Sequence, residues 1–211
     1  MGNEKGMDSG ISAQVGTIDL NEAKKEIESL RERLFEKKKK IEIGKHLIMA
    51  ILPHRGDKLL LDKVEVNFPS KKSLPRAIGI YEITESVCKG HEWDGQKIFR
   101  GVDLIEICAQ LTGIAFALKY PDFIGRAGVL RRTGIGKFSG TAFSGERVKC
   151  VLSFSNLKIR TIGGPEIKKI SVMIQGKNFE LFCEKPEGRK FFDQKIATVD
   201  FVEIIIQGAL S

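Results

Sequence analysis

The chain has 211 residues, which suits one medium domain with extensions or two small ones. Hydrophobic residues make up 42% and charged residues 29%, the balance of a globular protein with a real core. The formal net charge of +8 favours an acidic partner: nucleic acid, an anionic membrane or an acidic carrier protein.

No uninterrupted apolar run reaches the roughly 18 residues of a membrane span. "MGNEKGMDSGISAQVG" at the N-terminus has no apolar core of a secretory signal. "MGNEKG" is a partial myristoylation pattern, with Gly rather than Ser or Thr at position 6. A cytosolic setting is expected. Cys88, Cys108, Cys150 and Cys183 are scattered, with no CxxC pair and no His at zinc-ligand spacing. They read as reduced, mostly buried thiols, and neither a metal nor a cofactor is implied.

Residues 1–18 are Gly/Ser-rich and polar, the composition of a disordered tail. From Asp19 the text changes to "DLNEAKKEIESLRERLFEKKKKIE". Leu20, Ala23, Ile27, Leu30 and Leu34 recur at three and four, so an amphipathic helical extension is predicted over 19–43. Its thin apolar stripe suits a coiled-coil seam or docking onto the main domain, taken as 44–211. The first 50 residues hold ten Lys/Arg and nine Asp/Glu, so the excess positive charge belongs to the rest of the chain.

"KHLIMAIL" reads as a short helix stopped before Pro53, with His46 exposed on it. "KLLLDKVEVNF" and "RAIGIYEIT" read as strands separated by a turn at "PSKKSLP". A loop over 86–101 carries His91. "VDLIEICAQLTGIAFALKY" is a helix closed by Pro121, and its small residues (Ala109, Gly113, Ala115, Ala117) would let a sheet approach. The text then turns β-rich: "GRAGVLRRTGIGKF", "ERVKCVLSFSNLKI", "EIKKISVMIQ", "NFELFCE" and "KIATVDFVEIIIQ" are candidate strands. "GKN" at 176–178 reads as a hairpin turn. One apolar helix among many antiparallel strands implies an α+β fold with the sheet curled around the helix.

Glu106 stands among Leu104, Ile105, Ile107 and Cys108, with Gln110 one turn on. Apolar surroundings are expected to raise its pKa and keep it protonated, fit for general-acid work; the alternative is a helix residue facing solvent. His91 titrates near neutrality and can act as a base. The N–H of Gly101 at the helix start can hold a carbonyl oxygen that gains charge. Base, acid and oxyanion donor together suit proton abstraction beside a carbonyl with loss of a leaving group.

"ILPHRGDKLLLDKVEV", "KGHEWDGQKIFRGVDLIEICAQ" and "GIGKFSGTAFSGERV" resemble, in order, three stretches of the bacterial 3-hydroxyacyl-[acyl-carrier-protein] dehydratases. The resemblance covers roughly residues 45–150 and implies a hot-dog fold: a curved antiparallel sheet wrapped around one long central helix. It implies a homodimer, with trimers of dimers left open, and an active site shared between two subunits. His91 would take the C2 proton of a (3R)-hydroxyacyl thioester, and Glu106 of the other subunit would protonate the leaving hydroxyl. Gly101 and Val102 would bind substrate, and Gln110 would bind it and orient the acid. Arg126, Arg131, Arg132 and Lys137 would dock acyl carrier protein.

Family members carry prolines between the histidine and Gly-Val. Here "GHEWDGQKIFRGV" has none and is one residue longer, so the loop is expected to hold His91 less firmly. Trp93 and Glu92 are placed to alter the acyl tunnel, and Arg100 brings a charge near the carbonyl site. His54 and Arg55 are expected to be structural, capping the first strand, and "FALKYPDF" to form core and tunnel wall. The alternatives are a hot-dog acyl thioesterase, or a degenerate acyl-binding protein that scaffolds a partner through its N-terminal helix. No nucleic-acid-binding motif is present.

Overall fold

A computed structural model of the protein describes residues 19–37, 40–67, 76–153, 160–162, 170–185 and 193–208. The predicted tail over 1–18 and the turn at "PSKKSLP" lie outside the described residues. In chain order the elements are α1 (Leu20–Lys37), β1 (Ile41–Gly44), α2 (Lys45–Ile51), β2 (Lys63–Asn67), β3 (Arg76–Glu82), β4 (Glu92–Trp93), β5 (Gln96–Lys97) and α3 (Gly101–Lys119). There follow β6 (Gly128–Thr133), β7 (Gly136–Phe138), β8 (Arg147–Leu152), β9 (Arg160–Ile162), β10 (Ile170–Glu184) and β11 (Asp193–Gly208).

The strands form a nine-stranded sheet ordered β1-β2-β3-β8-β10-β11-β6, with β7 also on β11 and β9 on β10; β4 and β5 form a separate hairpin. All the pairings are antiparallel. The sheet wraps α3, and this is the α+β hot-dog arrangement. Alternation drives it: in β8, Val148, Cys150 and Leu152 are buried while Arg147 is exposed. Among the described residues α3 is long and apolar enough to cross a membrane, a feature the expectation of no apolar run passed over; 72% of its apolar window is buried inside the fold, as in a core helix.

The N-terminal helix closes at Lys37, earlier than predicted, and Ile41–Gly44 becomes a strand against β2. Ile41 and Ile43 alternate with exposed Glu42, a period of two that the preceding lysine run masked. Ala23, Ile27 and Leu34 of α1 are buried in the main core, and the Arg31 guanidinium donates to the Leu118 and Lys119 carbonyls at the end of α3. The stripe is therefore spent within the chain, which removes the free coiled-coil seam.

"GKN" is not a turn: β10 runs straight through 176–178 against β11. Gly176 is there for close approach, since a Cβ on it would sit 2.3 Å from Thr112 Oγ1 of α3 and 2.7 Å from Phe179 Cζ. Asn178 takes the left-handed conformation, with φ of 56°, without reversing the chain.

Candidate active site

Glu106 lies within α3, one turn before Gln110. Gln110 is 1% exposed, and its amide is fully engaged: Nε2 donates to Lys58 O at 2.7 Å and to Glu106 Oε1 at 3.0 Å, and Oε1 accepts from Leu60 N at 2.9 Å. The two backbone contacts lock the amide, so it presents an N–H to the carboxyl in one orientation. The orienting contact expected of Gln110 is present.

Glu106 neither faces bulk solvent nor sits as a raised, protonated acid. Its side chain is 33% exposed, and His54 Nε2 lies 3.2 Å from Oε1. Burial is the largest single influence and favours the protonated form. Hydrogen bonds from His54 and Gln110, with the charges of His54 and Lys58, outweigh it and hold the carboxyl below its ordinary value. The expected rise failed because the sequence window around 106 is apolar, whereas the polar partners come from 48–52 positions upstream and from the next turn.

His54 is thus misread as a strand cap. Leu52-Pro53-His54-Arg55 is a rigid bracket: proline restricts the backbone, and Arg55 Nη1 donates to Leu52 O and His54 O, both at 2.7 Å. The bracket presents the His54 ring to Glu106. The pattern was visible in the sequence, but the contact joins two segments 52 residues apart.

From Glu106 a narrow apolar slot follows one face of α3 past Ala109, Gly113 and Ala117, enclosing a cavity of about 80 Å³. The spacing of three and four places these residues in line, and from Glu106 to Ala117 the helix rises roughly 16 Å. Ile204 and Ile206 of β11 and Phe123 of "FALKYPDF" form part of the other walls. The small residues of α3 therefore leave room for the slot; the sheet makes close approaches at Gly79 and Gly176 instead.

His91 is exposed and lines a different, open hollow of about 560 Å³ with Gly101, Arg100 and Phe138. The proline-free loop forms a short hairpin. Glu92–Trp93 pairs with Gln96–Lys97 around Asp94 and Gly95, whose φ values of 52° and 72° make the tight turn that Asp-Gly favours. His91 O accepts from Ile98 N at 2.9 Å, and Phe99 N and Ser144 N tie the hairpin's return to the 142–144 segment. A β-hairpin spans this proline-free loop, and the sequence signal was "DG". Trp93 is 67% exposed.

Gly101 opens α3, where the first N–H groups have no intrahelical acceptor. The Arg100 charge expected at this point is met by Asp103 in a two-pronged pair at 2.6 and 2.7 Å. Val102 is 63% exposed and lines neither hollow in a single chain.

The four basic residues divide. Arg131 and Arg132 both reach the buried Glu203, at 3.1 and 3.6 Å. Arg126 lies over the Phe123 ring and lines the slot, and Lys137 is exposed on β7.

The fold and the acid-ended slot define a hot-dog protein. No family model matches the chain. It is 34% identical over 113 residues to the 3-hydroxyacyl-[acyl-carrier-protein] dehydratase FabZ of Clostridium acetobutylicum, spanning 53% of this chain and 76% of that protein. It is 32% identical over 117 residues to the dehydratase of the same name from Enterococcus faecalis, spanning 56% and 79%. A solved hypothetical thioesterase with coenzyme A from Streptococcus pneumoniae is 12% identical, with a TM-score of 0.39 and coverage of 70% of this chain and 88% of that one. The chain belongs to the 3-hydroxyacyl-[acyl-carrier-protein] dehydratase family, as a divergent member.

Proposed function

We propose that the protein dehydrates (3R)-hydroxyacyl thioesters carried on acyl carrier protein to trans-2-enoyl thioesters, as a cytosolic homodimer. The observation that carries the reading is the Glu106 carboxyl, aimed by Gln110 at the head of an apolar slot. Family membership supports the reaction class.

In this reading His91 of one protomer removes the proton from C2, and the C3–O bond breaks as Glu106 of the other protomer gives its proton to the departing oxygen. Water leaves, the C2=C3 double bond forms, and solvent returns the proton from His91 to Glu106. The Gly101 N–H, at the positive end of α3, stabilises the thioester oxygen as it gains charge. Glu106 needs its proton for this role. An acyl chain in the slot and a second protomer over it would withdraw water from the carboxyl, adding to the desolvation that already favours the protonated form.

Two protomers are invoked because His91 and Glu106 line separate hollows of one chain. The β6–β7 edge of the sheet is the surface for a second copy: Val129, Leu130, Ile135 and Phe138 are all exposed there. With Arg131 and Arg132 committed to Glu203, attraction of an acidic carrier rests more on the exposed Lys137.

The test is dehydration of a 3-hydroxyacyl thioester by purified protein beside H91A and E106Q. Each variant should lose about 10²- to 10⁴-fold in kcat. Equal turnover by all three proteins removes the mechanism, and release of free thiol without enoyl product would favour the thioesterase.

A further inference from the structure

Among the described residues, two N–H donors reach Glu106 and both reach the same oxygen. His54 Nε2 lies 3.2 Å and Gln110 Nε2 3.0 Å from Oε1, and none reaches Oε2. We propose that His54 is a positioning residue of the dehydratase site: with Gln110 it saturates Oε1 of Glu106, so that Oε2 is the oxygen that carries the proton to the substrate. The inference rests on the dehydratase reading and adds a residue and an atom to it.

A carboxyl that must alternate between acid and carboxylate benefits from this asymmetry. In the protonated acid, Oε1 is the carbonyl oxygen and keeps both donors, while the Oε2 hydroxyl points to the substrate. With the donors divided between the two oxygens, protonation of either would displace one of them. Both states can thus form without moving the carboxyl group.

The structure shows a support built for this purpose. Pro53 and the Arg55 contacts to Leu52 O and His54 O fix the backbone that carries the ring. Nδ1 is buried with no partner, whereas Nε2 faces the carboxylate, so the ring is placed to donate from Nε2. The other groups facing Glu106 are Lys58, acting through its charge, and Arg126, which lines the same slot.

The experiment follows the Glu106 carboxyl by ¹³C NMR titration of the full-length protein as wild type, H54L and H54Q, beside steady-state dehydration. H54L should move the Glu106 midpoint to higher pH and lower kcat by about 10- to 100-fold with little change in KM. The Glu106 limb of the pH–rate profile should move the same way. H54Q, whose amide nitrogen can take the place of Nε2, should recover most of both. A Glu106 midpoint unmoved in H54L overturns the proposal, as does an H54Q variant no better than H54L. H54A, with no donor and little bulk, carries the same expectation should H54L fail to fold. If the wild type does not dehydrate, the dehydratase reading fails by itself, and the carboxyl titration still judges whether His54 holds Glu106.

Discussion

Glu106 shows how three contacts decide the state of one carboxyl. Burial alone would keep its proton on, yet His54 and Gln110 hold the folded pKa below the ordinary carboxylate value. A depressed folded pKa contributes stability above the ordinary carboxylate range, and that stability is lost as pH falls through the folded value. E106Q should therefore narrow the gap in unfolding free energy between pH 7 and pH 3. The change should stay under about 1 kcal/mol, because the side chain is a third exposed. Urea denaturation at the two pH values measures it, and a gap as wide as that of the wild type would show that the carboxylate contributes nothing. Cys183 is the converse. Burial, with Glu146 beside it at 2.9 Å, pushes its thiol up to about 12, so it stays protonated and unreactive at neutral pH.

At the scale of elements, the β4–β5 hairpin stiffens the His91 loop without proline. Proline stiffens a loop through the unfolded state, whereas the hairpin stiffens it through ladder hydrogen bonds and a turn that needs left-handed backbone at Asp94 and Gly95. Gly95 tolerates φ of 72° at no cost, and a β-branched residue does not. G95V should lose about 1–3 kcal/mol locally and reduce kcat, since the turn lies four residues from His91. A thermal melt paired with the dehydration assay checks both effects; a melt and a rate like those of the wild type would mean that the turn does not hold the histidine. The α1 helix is likewise integral: its apolar stripe and Arg31 close the end of α3.

For the whole molecule, the proposed mechanism requires the two hollows to meet as one site. His91 and Glu106 line separate hollows of one chain, and the exposed apolar edge at β6 and β7 is the surface we propose for a second copy. A two-fold pairing would bring each histidine to the partner's acid, twice per dimer. Mixing H91A with E106Q and allowing exchange should then restore about a quarter of wild-type activity: half the dimers are mixed, and each has one intact site. No recovery after verified subunit exchange would place both groups of a site in one chain.

Much was legible in the sequence because the deciding information is local. Period-two alternation marks β3 and β8, the long apolar run marks α3, and Gly-His through Glu and Gln marks the family. What escaped was set by contacts distant in the chain. The lysine run hid β1, because a four-residue strand becomes evident only when β2 is beside it. Gly176 was taken for a turn because glycine signals both reversal and close approach, and only the position of Thr112 on α3 separates the two. The acidity of Glu106 and its contact with His54 were decided by tertiary structure alone. Hydrogen bonding acts over a few ångströms, and residues 54 and 106 become neighbours only when the LPHR bracket packs against α3. The sequence by itself determined most of the elements and the family; folding determined the rest and which charges meet.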